Sequence, residues 1–463
     1  MINLVVSLLL GSTGLGAASP TLVSRACGAR MPAGRVTCGT VDVPEDPAAP
    51  GRRTIALNVV VVKPTKPVAG AVPMFHLEGG PGVPATAAAE FYLGPGGVYA
   101  ESREIVLIDQ RGTGGSNALP CPDQERRNVW DDEYDPSRVD ACRRALESRA
   151  DLNQYTTDNA AADVDAVRAA LGYDRIDIAA LSYGTELAQA YLKRYPARVH
   201  AAVLAGFVPL DLRQPLFHAN NAQRVLDLLF YECARDTGCN SKYPRLRDDW
   251  ANALRRFQNG AVVANAKGGT IRLRRGPFGE LFRNMMGTAA GQRRLPALIH
   301  AAAGGDFTGF VSDSSGAAAP VAEGLYLSIV CSEAQPRIPA DVTPFTSGTF
   351  LGTYRVDQER TACARWPHRQ VPDTFYAPPR DEVPVLVLSG SMDHVATPDW
   401  GREFCDSRKG CTFLSIPDMG HGPFDLDQWA EGDCFDRIAA GFLADPRHVD
   451  TSCIARMRPP AFK

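Results

Sequence analysis

Ile176-Asp177-Ile178-Ala179-Ala180-Leu181-Ser182-Tyr183-Gly184-Thr185-Glu186 carries an apolar, strand-like run straight into a serine and then into a helix-like segment, Glu186 to Tyr195. In a turn of this kind the serine takes strained backbone between strand and helix, and small residues two positions to either side let the chain pass. Gly184 meets that need fully, and Ala180 meets it with one methyl group to spare. The stretch reads as a nucleophile elbow, with the Ser182 hydroxyl aimed out of the end of a sheet. Short patterns of this sort also arise by chance, so the weight comes from chain order: Asp393 and then His421 follow Ser182, each in a fitting context.

Working outward, Ile55 to Val62, Val72 to Leu77 and Glu104 to Asp109 are β-rich runs. The second leads into Gly79-Gly80-Pro81-Gly82 and the third into Gln110-Arg111-Gly112. Asp163 to Leu171 places Val164, Val167 and Leu171 on one helical face and stops at Gly172. Val199 to Phe207 is a further buried strand. Strands alternating with helices imply a mostly parallel sheet covered on both faces. After Pro209 the pattern turns helical, at Ala222 to Ala234, Leu246 to Phe257, Phe278 to Met286 and Leu295 to Ala303, with a hairpin around Gly268-Gly269. Sheet signals return at Val385 to Leu388 and Thr412 to Ile416, and a last helix falls within Asp425 to Leu443. The expected organisation is a core from 19–209, an inserted helical cap from 210–376, and the rest of the core from 377–463.

The 463 residues carry a net charge of -3, with 45% hydrophobic and 22% charged side chains. No basic stripe offers phosphates a footprint, so nucleic acid is not an expected partner. Leu4 to Leu10 form a short apolar core followed by small residues up to Ala17, Ala18 and Ser19, the shape of a secretory signal peptide spanning 1–18, although no Lys or Arg precedes it. The other reading is an uncleaved or misplaced start. No stretch is long enough to expect a membrane span. Twelve cysteines fit an oxidising, secreted or periplasmic setting. Their spacing suggests six local bridges: Cys27 with Cys38, Cys121 with Cys142, Cys233 with Cys239, Cys331 with Cys363, Cys405 with Cys411, and Cys434 with Cys453. Spacing does not fix connectivity, and zinc is the rival use, but the chain has no Cys-x-x-Cys pair.

Acyl transfer needs a nucleophile, a base, an orienting acid and a site for the developing oxyanion. Asp393 closes Leu388-Ser389-Gly390-Ser391-Met392-Asp393, where a carboxylate leaving the sheet could hold an imidazole in the required tautomer; alternatively it caps a turn. His421, flanked by Gly420 and Gly422, can reach over the sheet edge as general base, whereas His394 adjoins the proposed acid and His200 and His300 lie in a strand start and a helix. Backbone N–H groups of Gly80 and Tyr183 are the expected oxyanion donors; the other reading of Gly79-Gly80-Pro81-Gly82 is a plain turn.

Gly79-Gly80-Pro81-Gly82, Asp109-Gln110-Arg111-Gly112, Ser182-Tyr183-Gly184-Thr185, Asp393 and Gly420-His421 together resemble the proline iminopeptidase and tripeptidyl aminopeptidase family of α/β-hydrolases. Ile329-Val330-Cys331-Ser332-Glu333 and Cys363-Ala364-Arg365-Trp366 resemble the cap of its secreted bacterial members. The resemblance implies an α/β-hydrolase fold with a helical cap and a cofactor-free serine exopeptidase that releases amino acids or short peptides from free N-termini. It gives Ser182 as nucleophile, His421 as base, Asp393 as acid, and Gly80 with Tyr183 as oxyanion donors. Ala180 departs from the usual first glycine of the elbow. Glu78 stands where the family commonly has a neutral residue or histidine, so it either turns away from the oxyanion or meets a cation.

That cation could be the substrate's α-amine, and Glu333 on the cap side is a second candidate for holding it; for both glutamates a structural salt bridge is the alternative. Glu186 reads as structural. The same triad would equally serve an esterase or amidase acting on small acyl groups, since pocket shape decides between them. A non-catalytic binding protein of this fold is the remaining alternative, and it usually lacks a triad member.

Overall fold

The computed structural model describes residues 20–28, 31–122, 130–266, 269–313 and 321–463. The signal-peptide segment 1–18 and the turn residues 267–268 lie outside the described residues. Nine strands form one sheet: β1 (Val23–Arg25), β2 (Val36–Pro44), β3 (Thr54–Val62), β4 (Met74–Leu77), β5 (Ile105–Ile108), β6 (Ile176–Leu181), β7 (Val199–Ala205), β10 (Val385–Gly390) and β11 (Cys411–Ile416). A separate hairpin joins β8 (Val262–Ala266) to β9 (Gly269–Leu273), where the two glycines predicted one.

The sheet order is β1-β2-β3-β5-β4-β6-β7-β10-β11. The first three pairings, β1 with β2, β2 with β3 and β3 with β5, are antiparallel; from β5 onward every pair is parallel. β4, β6 and β10 are apolar throughout or nearly so, as strands covered on both faces must be. β4 begins at Met74 rather than Val72 because Pro73 has no N–H to give the ladder. β1 and β2 escaped the sequence reading. Thr and Gly dilute the apolar signal in Val36–Pro44, and three residues are too few to show alternation in Val23–Arg25.

Four helices flank the first part of the sheet: α1 (Ala89–Leu93), α2 (Pro136–Glu147), α3 (Thr157–Ala170) and α4 (Tyr183–Arg194). α3 starts six residues before the predicted Asp163, because the Thr156 hydroxyl accepts the Asn159 N–H and caps an earlier turn. Between β7 and β10 run α5 (His218–Arg235), α6 (Thr237–Lys242), α7 (Leu246–Arg255), α8 (Arg275–Met285), α9 (Ala289–Gly304), α10 (Thr308–Asp313), α11 (Glu323–Ile329), α12 (Thr343–Thr346) and α13 (Tyr354–Cys363). α14 (Pro398–Asp406) and α15 (Cys434–Ala444) complete the chain.

The sheet is packed on both faces by separate apolar clusters, one containing Leu187, Ala188 and Tyr191 of α4 and the other Ile438, Ala439 and Phe442 of α15. The inserted helices have their own core, in which Trp250 stacks on Phe282 at 4.2 Å and Phe257 on Phe278 at 4.9 Å. Met392, next to Asp393, belongs to that same cluster. All six expected cysteine pairs are bonded.

Candidate active site

Ser182, between β6 and α4, has φ 55°, ψ −126°, a conformation that costs an L-residue energy and persists only where its surroundings enforce it. They do so here. A Cβ added at Gly184 would lie 2.1 Å from the Leu77 carbonyl oxygen, so only glycine lets α4 start this close to β4. α4 therefore begins at Tyr183, three residues before the predicted Glu186, and the first-turn N–H groups at its start have no intrahelical acceptor.

The Ser182 hydroxyl donates to His421 Nε2 at 2.8 Å. His421 Nδ1–H in turn donates to Asp393, 2.9 Å from Oδ2 and 3.0 Å from Oδ1. Asp393 is fully buried, and its Oδ1 accepts the Val395 and Ala396 N–H groups at 2.8 Å each, which fixes the carboxylate plane. Arg224 of α5 donates to the Ser391 and Asp393 carbonyls, tying the acid's loop to the inserted helices. The His421 N–H donates to the Gly287 carbonyl in the α8–α9 turn at 3.0 Å, so those helices hold the base from above.

Gly80 has φ +112°, which the turn after β4 requires and which glycine alone takes without strain. Gln110 donates to the Glu78 carbonyl at 3.0 Å, so the Asp109-Gln110-Arg111-Gly112 segment braces that turn. Arg111, 1% exposed, makes a two-pronged bond to Asp163 at 2.6 and 2.7 Å and also donates to the Glu45 and Gln154 carbonyls. Tyr183 turns its phenol away from Ser182 to Thr157 Oγ1 at 2.8 Å.

Ser182, His421, Gly80 and Tyr183 all line one cleft of about 840 Å³ between the sheet and the inserted helices. Glu78 lines it too, but its carboxylate meets His76 Nε2 at 2.7 Å and the Gly79 N–H at 3.0 Å. Burial raises its pKa, and the His76 and Gly79 contacts outweigh this and leave it below the ordinary value. Glu78 thus has its carboxylate occupied by His76 and the Gly79 N–H. Glu333 is elsewhere: 4% exposed, it accepts the Thr157 N–H and hydroxyl at 2.7 Å each, capping the start of α3, and it is not among the residues lining the cleft. Burial pushes its carboxyl up to about 7.

Of two further lining residues, the sequence reading has Glu186 as structural and misses His218. Glu186, 8% exposed in the first turn of α4, faces the cleft with no hydrogen-bond or ion-pair partner among the described residues. Burial, followed by the nearby charges of Glu333 and Asp211, holds its pKa well above the ordinary carboxylate range. His218 of α5 is 4% exposed, and neither of its nitrogens has a partner among the described residues. Burial and the charges of Arg283 and Arg355 push its pKa well down, keeping it neutral. Glu186 carried a signal, since a carboxylate one turn after the serine must lie at the floor of the site; His218 carried none, because its place depends on how the inserted helices pack. Altogether five glutamates (Glu78, Glu133, Glu186, Glu280, Glu323) and two arginines (Arg283, Arg355) line the cleft, so acid predominates.

The alpha/beta hydrolase fold family matches residues 81–428. Over 474 aligned residues the chain is 26% identical to the tripeptidyl aminopeptidase of Streptomyces lividans, covering 92% of this chain and 85% of that protein. It is 29% identical to the serine protease Hip1 of Mycobacterium tuberculosis over 234 residues, 45% of this chain and 44% of the protease. It is also 29% identical to the proline iminopeptidase of Neisseria gonorrhoeae over 135 residues, 29% of this chain and 32% of that enzyme. The chain thus spans less than half the length of the last two. A family match covering most of the chain, on a mostly parallel sheet with a strained serine between strand and helix, makes this chain a member of the alpha/beta hydrolase fold family.

Proposed function

We propose that the chain is a secreted or periplasmic serine exopeptidase that releases amino acids or short peptides from free N-termini. The hydrogen-bonded series Ser182–His421–Asp393, opening into a cleft rich in carboxylates, carries this reading. Ser182 Oγ attacks the scissile carbonyl carbon as His421 Nε2 takes the hydroxyl proton, and the N–H groups of Gly80 and Tyr183 receive the oxyanion. Collapse breaks the C–N bond, and the leaving amine carries away the proton from His421. Water then attacks the acyl-serine, giving its proton to His421, and the second collapse frees the carboxylic acid and returns that proton to Ser182. Residues 210–376 act as the cap that closes the cleft.

A free N-terminus is an ammonium, and a buried carboxylate without a partner is its natural counterpart. Glu186 fills that role better than Glu333, which spends both oxygens on Thr157. The similarity to proteins named tripeptidyl aminopeptidase and proline iminopeptidase supports the same substrate class. Six disulfides support an oxidising compartment, and no helix among the described residues is long and apolar enough to cross a membrane.

Initial rates on aminoacyl and tripeptidyl amides, their N-acetylated forms and short acyl esters test the reading. Free-amine amides should turn over well above the blocked ones. Turnover confined to esters or blocked amides would replace the exopeptidase with an esterase or amidase, and full turnover by Ser182→Ala would remove the serine mechanism.

A further inference from the structure

α1 is only five residues long, because Gly94-Pro95-Gly96-Gly97 stops it after Leu93. The face of the sheet that a longer helix would cover stays partly open: Ala179 and Leu181 are half-buried, although their strand β6 lies in mid-sheet. A second cavity of about 520 Å³ opens over them, lined by Phe91 and Tyr92 of α1 and by Phe435 and Asp436 of α15 among others. Glu78, Ala88, Leu181 and Phe424 line both this cavity and the serine cleft, so the two share a wall. Phe91 and Phe424 at its rim are 39% and 59% exposed, among the few large apolar side chains the fold leaves in water.

Position and charge identify the occupant. The leaving amine must lie beside His421 Nε2, from which it takes its proton, and Pro423 and Phe424, just past His421, are part of the second cavity's lining, Phe424 lining the serine cleft as well. The part of a peptide beyond the scissile bond therefore meets this cavity. Its lining includes the carboxylates Glu78, Asp427, Asp433 and Asp436 and no Lys or Arg among the described residues. Glu78 is held by His76, Asp436 accepts the Tyr99 hydroxyl and Arg437 reaches Asp433 at 3.5 Å, but Asp427 is exposed and has no partner among the described residues. Aromatic walls with carboxylates at the mouth suit a flat guanidinium or a long ammonium side chain.

We propose that this second cavity is the subsite for the first residue on the leaving side of the cleaved bond, and that it selects a basic side chain, arginine or lysine. The proposal rests on the exopeptidase reading above.

The test uses short free-amine peptides carrying arginine, norleucine or aspartate immediately after the bond that mass spectrometry shows to be cut, with ethyl esters of the same acyl portion as controls. Wild type should cleave the arginine peptide with a kcat/KM about tenfold or more above the aspartate one, the scale of one favourable charge contact. Asp427→Lys should bring that ratio near one while leaving the ethyl esters unchanged, since ethanol is too small to reach the cavity. Ala179→Leu, which fills the cavity floor, should slow the arginine and norleucine peptides and spare the esters. Equal rates for all three peptides, a preference for norleucine over arginine, or a ratio untouched by Asp427→Lys would overturn the subsite. Ester turnover with no peptide cleavage at all would instead overturn the exopeptidase reading.

Discussion

At the residue scale the site turns on how two carboxylates are placed. Glu78 and Glu186 both face the cleft, yet the first is hydrogen-bonded to His76 and the Gly79 N–H and the second has no partner among the described residues, so the second is the one with binding capacity to offer. Glu186→Gln should raise KM for free-amine substrates about ten- to hundredfold, the worth of a charge-assisted hydrogen bond, with little change on N-acetylated ones. Glu186 must be ionised to hold an ammonium, and its pKa is raised by burial. KM for free-amine substrates should therefore climb as pH falls through that raised pKa, and Glu186→Gln should lose this limb; an unchanged profile in the variant would assign the amine elsewhere. Ser182, His421 and Asp393 were legible in the sequence because each sits where a strand ends in small residues. Glu333 misled for a physical reason: it lies outside the cleft lining, and its side chain is consumed by the open end of α3.

At the element scale the elbow is a packing solution between β4, β6 and α4. Gly184→Ala would drive a methyl group onto the Leu77 backbone, which cannot swing aside, so a loss of about 1–3 kcal/mol is expected in denaturant unfolding, together with reduced activity as Ser182 shifts. Unaltered stability would mean that α4 can slide. Arg111→Met, by contrast, removes the partner of a buried aspartate and should cost about 3–5 kcal/mol, most of it recovered by adding Asp163→Asn. The parallel strands were readable from their apolar runs. α2, α13 and α14 were not: α13 has only Val356, Glu359, Ala362 and Cys363 buried, so charged residues obscure its period.

At the scale of the whole molecule, the inserted helices both roof the cleft and grip the machinery, through Gly287 on His421 and Arg224 on the Asp393 loop. The bridge Cys331–Cys363 ties α13 back to the end of α11, within the same roof. Folding raises the Glu333 carboxyl from 4.5 to about 7, so its contribution is fully present below about 4.5 and is lost as pH rises through 7. Stability measured by urea midpoint should fall from pH 5 to pH 8, and Glu333→Gln should flatten that fall; an equally steep fall in the variant would place the titration elsewhere, Glu359 having the same direction. The most direct test of the central claim is to quench turnover of a free-amine peptide ester with acid and map the acyl group by mass spectrometry. The account predicts the acyl mass on the peptide containing Ser182 and none in Ser182→Ala, where kcat should drop about a million-fold. An acyl group on another residue, or full turnover in Ser182→Ala, would contradict it.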